Sequence, residues 1–182
     1  DDQWSEVTIH QLIETYHIDY LVDEQHRLIK TTSSETYPTY LNEQSQVHQL
    51  LHIGFTSGTT GLPKAYYRNE PSWLASYKEN EKLLRHKENI LVAPGPLAHS
   101  LSLYTCIYAL YTGRTFIGQT RFNATKLVSK MKQQTTNSAL FLVPTMLHAI
   151  TKINHDHLHL TTILSSGAKL SSSLFKRIAE TF

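Results

Sequence analysis

Apolar positions in this chain cluster into short unbroken runs separated by longer amphipathic stretches. Residues 89–93 (NILVA), 114–118 (RTFIG), 139–143 (ALFLV) and 161–165 (TTILS) are such runs. They are too short for helices: 89–93, bounded by Pro94-Gly95-Pro96, reads as a buried strand and the other three as strand-like. The stretches between them carry helical punctuation. Residues 71–87 predict a helix with Pro71 near its first position and basic residues in its last turn. Residues 99–111 (HSLSLYTCIYALY) are apolar on nearly all sides, which predicts a buried helix that Gly113 can cap. Asn123 can N-cap a helix over 124–133, Pro144 opens one to about Ile153, and 171–182 form an amphipathic helix. Strands alternating with helices imply right-handed βαβ units, hence an α/β fold with a mostly parallel sheet and flanking helices.

The first fifty residues are less regular. A helix is expected over 7–16, with strands over 18–22 and 27–30. The polar, turn-rich stretch 31–40 (TTSSETYPTY) is the best linker candidate. No internal repeat or low-complexity tract is present.

Bulk numbers narrow the class. The chain has 182 residues, 40% hydrophobic and 18% charged, which suits one globular domain or a piece of a larger one. A formal net charge of +2 gives no argument for nucleic acid or an anionic membrane. The single Cys106 cannot form an internal disulfide, and its apolar neighbours predict a buried thiol in a cytoplasmic setting. No signal-peptide pattern is visible in the first twenty residues, and the apolar run 101–111 is too short to span a bilayer. The chain opens without Met and closes inside a helical pattern, so a fragment is expected.

The densest chemistry lies in 55–65, FTSGTTGLPKA, which follows the apolar strand candidate 50–55. Gly58 and Gly61 permit positive φ and close backbone approach, so successive N–H groups can turn inward into an anion-binding concavity. Thr56, Ser57, Thr59 and Thr60 add hydroxyls, and Lys64 adds a cation. Phosphate oxygens match that mixture of short donors and one positive charge. From Gln44 to Asn69 there is no Asp or Glu, which also suits a polyanion. The spacing excludes a Walker A loop, because Pro63 stands where that motif needs Gly, and excludes G-x-G-x-x-G as well. A hydroxyl-rich hairpin turn without a ligand is the plain structural alternative.

FTSGTTGLPK resembles the phosphate-binding signature of the AMP-forming adenylate enzymes, a superfamily of acyl-CoA synthetases, luciferases and peptide-synthetase adenylation domains. The match runs through Lys64 and departs at Ala65, where the family has Gly. Three later stretches resemble the same family in the same order. In 92–103, Pro96, Leu97 and His99 match a segment bordering the acyl pocket, with Ala98 in place of the usual aromatic. In 140–150, the strand-Val-Pro-Thr-helix pattern recurs. In 160–178, Gly167, Ala168 and Leu170 match a segment bordering adenine and acyl group, with Ser166 where Gly is common.

The resemblance implies a ligase that activates a carboxylic acid, expected to be a fatty acid, as its adenylate and transfers it to coenzyme A. ATP, Mg²⁺ and coenzyme A are implied, with no nucleic acid and no transmembrane segment. It also implies that Thr56, Ser57, Gly58, Thr59, Thr60 and Gly61 cradle phosphates, that Lys64 stabilises their charge, that Gly167 and Ala168 border the nucleotide, and that His99 faces the substrate pocket. Residues 46–182 would be the phosphate-loop and acyl-pocket part of the AMP-binding domain, entered through an irregular piece, 1–45. The family's later motifs, including Tyr-Gly-x-Thr-Glu, are absent from these residues, so the isolated chain is expected to be inactive. Two rivals remain: a peptide-synthetase-type adenylation domain, whose acid-recognising Asp is not found in 91–103, and a non-catalytic nucleotide-binding module. Two further patterns are set aside. Ser166 and Lys169 fit S-x-x-K without its partner motifs, and His155, His157 and His159 alternate as zinc ligands could, but sit in a polar loop.

Overall fold

The computed structural model describes residues 4–23, 25–31, 50–56, 61–85, 87–153 and 158–182. The chain divides into two compact units, Asp1–Pro71 and Ser72–Phe182. Most of the expected linker 31–40 lies outside the described residues.

In the first unit, α1 (Glu6–Tyr16) starts where the Ser5 hydroxyl accepts from the Thr8 amide at 3.2 Å. Strands β1 (Tyr20–Val22) and β2 (Leu28–Lys30) pair antiparallel. Strands β3 (Leu50–Phe55) and β4 (Ala65–Asn69) form a second antiparallel pair. The tyrosine-rich β4 was not anticipated as a strand. Strand β3 is thus one arm of an antiparallel hairpin, and its Ile53 is half exposed.

The second unit holds most of α2 (Glu70–Leu83), then β5 (Ile90–Pro94), α3 (Ser100–Tyr111), β6 (Thr115–Gln119), α4 (Ala124–Lys132), β7 (Ser138–Leu142), α5 (Pro144–Ile150), β8 (Leu160–Ser165) and α6 (Ser172–Thr181). Four strands form one parallel sheet in the order β6-β5-β7-β8, as the βαβ reading requires. Every residue of β5 and β7 is buried. Successive residues of these strands serve opposite faces. Ile90, Val92, Leu140 and Leu142 pack with Leu127, Val128 and Met131 of α4 and with Leu147 and Ile150 of α5. Leu91, Ala93, Ala139 and Phe141 pack instead with Trp73 and Tyr77 of α2 and with Tyr108 and Ala109 of α3. Each fully buried Leu or Ile contributes about 1.5–3 kcal/mol of apolar burial.

Local signals set the helix ends. The Asn123 side chain accepts from the Lys126 amide at 2.9 Å, and Ser171 caps α6 through the Leu174 amide at 3.2 Å. Helix α3 ends in a Schellman closure: Arg114 N–H donates to Ala109 O at 2.8 Å and Gly113 N–H to Leu110 O at 3.3 Å, with Gly113 at φ 69°. Helix α2 stops at Leu83, short of the expected 87. Leu84 turns into the core at 4% exposure, Lys87 takes φ 52°, and Glu88 is fully buried ahead of β5. Cys106 is half-buried rather than buried. The all-round burial expected for α3 also fails at its last turn, where Leu110 and Tyr111 are exposed.

A polar network ties α2 and α3 to the lower end of the sheet. Arg114 donates to both oxygens of Glu81, at 2.8 Å for Nη2, and its Nε donates to Glu88 O at 2.8 Å. The fully buried Tyr108 hydroxyl donates to Glu81 as well. The Arg114 hydrogen bonds hold the Glu81 carboxyl below its usual range. Burial, with Tyr104 and Tyr111 nearby, pushes the Tyr77 hydroxyl up to about 12.

Candidate functional site

The hairpin β3–β4 closes at Phe55 opposite Ala65, with Thr56 and Lys64 next along the chain at its open end. The two ends of this connection are stitched together. Thr56 N–H donates to Lys64 O at 3.0 Å, and the Thr56 hydroxyl reaches the same oxygen at 3.4 Å. Tyr16, at the end of α1, braces the second end from both sides of Lys64. Its hydroxyl donates to Pro63 O at 3.2 Å and accepts from Ala65 N–H at 3.1 Å. The Phe55 ring is gripped edge-on by Tyr16 at 5.4 Å and Trp4 at 5.5 Å between ring centroids. These bonds use the backbone of Lys64 and leave its side chain exposed. Gly61 has φ 153° and open space where a Cβ would stand. The remaining loop residues, Ser57, Gly58, Thr59 and Thr60, lie outside the described residues. Tyr16 escaped the sequence reading because only its position on a helix was visible, and its partners lie 47 and 49 residues away.

In the second unit the other expected residues lie on loops after parallel strands. The sheet order reverses direction around β5 and β7: from β5 the chain steps to β6 on one side, then returns to β7 on the other. Ligands of open α/β sheets bind at the carboxyl ends of strands beside such a reversal. His99 lies on the segment after β5, as N-cap of α3. Its backbone N–H donates to Pro96 O at 3.0 Å, and its exposed ring makes no capping bond. Gly167 and Ala168 follow β8 and are exposed. Their loop is tied to β7 by Ser166 N–H donating to Leu142 O at 3.2 Å. Gly167 has φ 84°, which favours glycine, and a Cβ there would stand 3.2 Å from Val143 Cγ1, close enough that Val143 would have to give way by a few tenths of an ångström. His99, Gly167 and Ala168 thus share the carboxyl end of one sheet, while Thr56, Gly61 and Lys64 share the hairpin tip. His155 and His157 lie outside the described residues and His159 is exposed. Among the described residues no group of three His, Cys, Asp or Glu could hold a metal ion, and no helix is long and apolar enough to cross a membrane.

A Staphylococcus haemolyticus protein carrying the name long chain fatty acid-CoA ligase VraA is 59% identical over 182 residues, covering 100% of this chain and 40% of its own length. The inhibitor-bound N-terminal domain of FACL13 from Mycobacterium tuberculosis superposes with a TM-score of 0.62 at 26% identity, over 72% of this chain and 34% of that one. O-succinylbenzoate coenzyme A synthetase (MenE) from Bacillus subtilis, in complex with AMP, shares the fold with a TM-score of 0.61 at 22% identity, over 71% of this chain and 27% of its own. The chain therefore spans about 40% of the length of the staphylococcal relatives it matches. The AMP-binding enzyme family model matches residues 5–182, nearly the whole chain, and the chain belongs to that family.

Proposed function

We propose that this chain is the phosphate-loop and acyl-pocket part of an AMP-forming acid–CoA ligase. The parent protein would join a carboxylic acid to the α-phosphorus of ATP, release pyrophosphate, and pass the acyl group to the thiol of coenzyme A. The acid we assign is a fatty acid, supported by the name of the staphylococcal relative. The reading rests chiefly on one observation: in a chain matched over 5–182, the exposed cation Lys64 stands at a backbone-stitched hairpin tip.

In this reading the loop from Thr56 to Gly61, including Ser57, Gly58, Thr59 and Thr60, gives its N–H and hydroxyl donors to the β- and γ-phosphates. Lys64 offsets the charge that grows as pyrophosphate leaves. Gly167 and Ala168 border the nucleotide, where a larger residue would close the space, and His99 faces the acid. The donor set of the loop fits phosphate. It offers no carboxylate to a Mg²⁺ ion, which would arrive on the nucleotide and draw charge from its phosphate oxygens. Residues 46–182 make up this part of the domain, with 1–45 leading into it. We place the reaction in the cytoplasm, consistent with a lone cysteine that can form no internal disulfide.

The test is acid-dependent ATP–pyrophosphate exchange by the full-length protein across a panel of fatty acids. Exchange with a long-chain acid is expected, falling by roughly 10²-fold in Lys64→Ala, the scale of losing one charge-stabilising group. No exchange with any acid, or an unimpaired Lys64→Ala enzyme, overturns the reading.

A further inference from the structure

On the face of the sheet that carries α4, α5 and α6, a cavity of about 370 Å³ opens between α5 and α6. Its lining includes Thr145 and His148 from α5, and Lys169, Ser171, Ser173 and Arg177 from α6 and the loop before it. No carboxylate is among these groups. Arg177 Nη1 lies 3.4 Å from His148 Nδ1. An arginine has only donors, so in that contact His148 accepts through Nδ1 and keeps its proton on Nε2. Arginine, lysine and this tautomer of histidine then offer donors alone, and three hydroxyls can turn their protons inward. None of the ion pairs among the described residues engages Lys169 or Arg177. Lys169 and Arg177 thus stand at one cavity with no carboxylate among its lining groups to offset them.

The charge distribution points the same way independently. Residues 89–182 contain nine Lys and Arg but only two acids, Asp156 and Glu180. On this face Lys126, Lys130, Lys132, Lys152, Lys176 and Arg177 are all exposed. Exposed charges of one sign gathered on a face raise the local concentration of anions there. A planar arginine fork, a point-charge lysine and several hydroxyls are the groups that recognise phosphate oxygens. The volume is far larger than a bare phosphate needs, which leaves room for the group that carries it. We propose that this cavity binds the phosphate of a small phosphorylated molecule through Lys169 and Arg177, without need of Lys64.

The experiment measures binding of inorganic phosphate and of phenyl phosphate to the full-length protein by calorimetry, at ionic strength matched with chloride. Saturable binding of at least one probe is expected. It should weaken by roughly tenfold or more in Lys169→Ala/Arg177→Ala, since charge-assisted bonds to phosphate are lost, and persist in Lys64→Ala. The milder Arg177→Gln and an unchanged thermal midpoint without phosphate guard against a folding defect. Absence of binding beyond the chloride control, or binding that survives the double substitution, overturns the proposal. So does binding only to phosphatidylglycerol vesicles, which would make the basic face a membrane contact instead.

Discussion

Removing the Glu81 carboxylate should unsettle the α2–α3 face far more than loss of a half-exposed surface charge ordinarily does. Glu81 accepts from two groups of unequal depth. Arg114 pairs with it at the edge, where the Glu81 side chain is 44% exposed, and such a pair contributes about 1 kcal/mol or less. The Tyr108 hydroxyl approaches it from the interior, on a side chain at 0% exposure. In Glu81→Ala that hydroxyl is left buried without an acceptor, at a cost of about 1–3 kcal/mol. The two effects together come to roughly 2–3 kcal/mol. Tyr108→Phe removes the stranded donor while keeping the ring stacked on Tyr77 at 4.7 Å and under the Arg114 guanidinium at 5.6 Å. In that background Glu81→Ala should cost only the edge pair, so the double-mutant cycle should show a coupling of about 1–2 kcal/mol. Urea denaturation followed by fluorescence of Trp73, which is 3% exposed in the same cluster, reads it out once Trp4→Phe leaves a single tryptophan. With slopes of about 1–3 kcal/mol/M, the midpoint should fall by roughly 1 M in Glu81→Ala alone. Equal costs of Glu81→Ala beside Tyr108 and beside Phe would refute the reasoning.

Three other outcomes are expected. Because the Glu81 carboxyl is held low chiefly by the Arg114 hydrogen bonds, its stabilisation is complete above the ordinary glutamate range, near 4.5, and is lost as pH falls further; acid titration of Trp73 fluorescence should be shallower in Glu81→Gln. Tyr16→Phe deletes both bonds that brace the loop end and should cost about 1 kcal/mol of stability, and in the full-length enzyme it should raise the KM for ATP more than it lowers kcat. An unchanged KM sinks that idea. Gly167→Ala forces a side chain into φ 84° and against Val143, and should lower stability by about 1–2 kcal/mol in thermal unfolding; an unaltered midpoint contradicts the strain argument.

Strands β5 and β7 were legible because burial on both faces leaves an unbroken apolar run, and Asn123 and Ser171 announced their helices because a capping side chain acts within three residues. Features built by distant partners were not legible. Strand β4 carries mostly exposed residues, so no burial pattern marked it, and its pairing with β3 is written only in the register of the hairpin. The same holds for Tyr16, whose role depends on where Pro63 and Ala65 come to lie. The hydroxyl and glycine content of the loop was plain in the sequence, whereas the bonding of Thr56 to Lys64 required the fold.

The alternation of β5 and β7 between two cores has a consequence for how this sheet finds its pairing. In a strand with one wet face, a slip by one residue buries polar groups and is rejected at once. Here a slip exchanges one apolar set for another, Ala139 and Phe141 for Leu140 and Leu142, and polarity raises no objection. Only volume discriminates, and volume is felt late, when the helices close down on each face. Misregistered sheets should therefore persist as compact species during refolding, and a slow refolding phase should be longer in Ala139→Leu, which narrows the difference in size between the two sets.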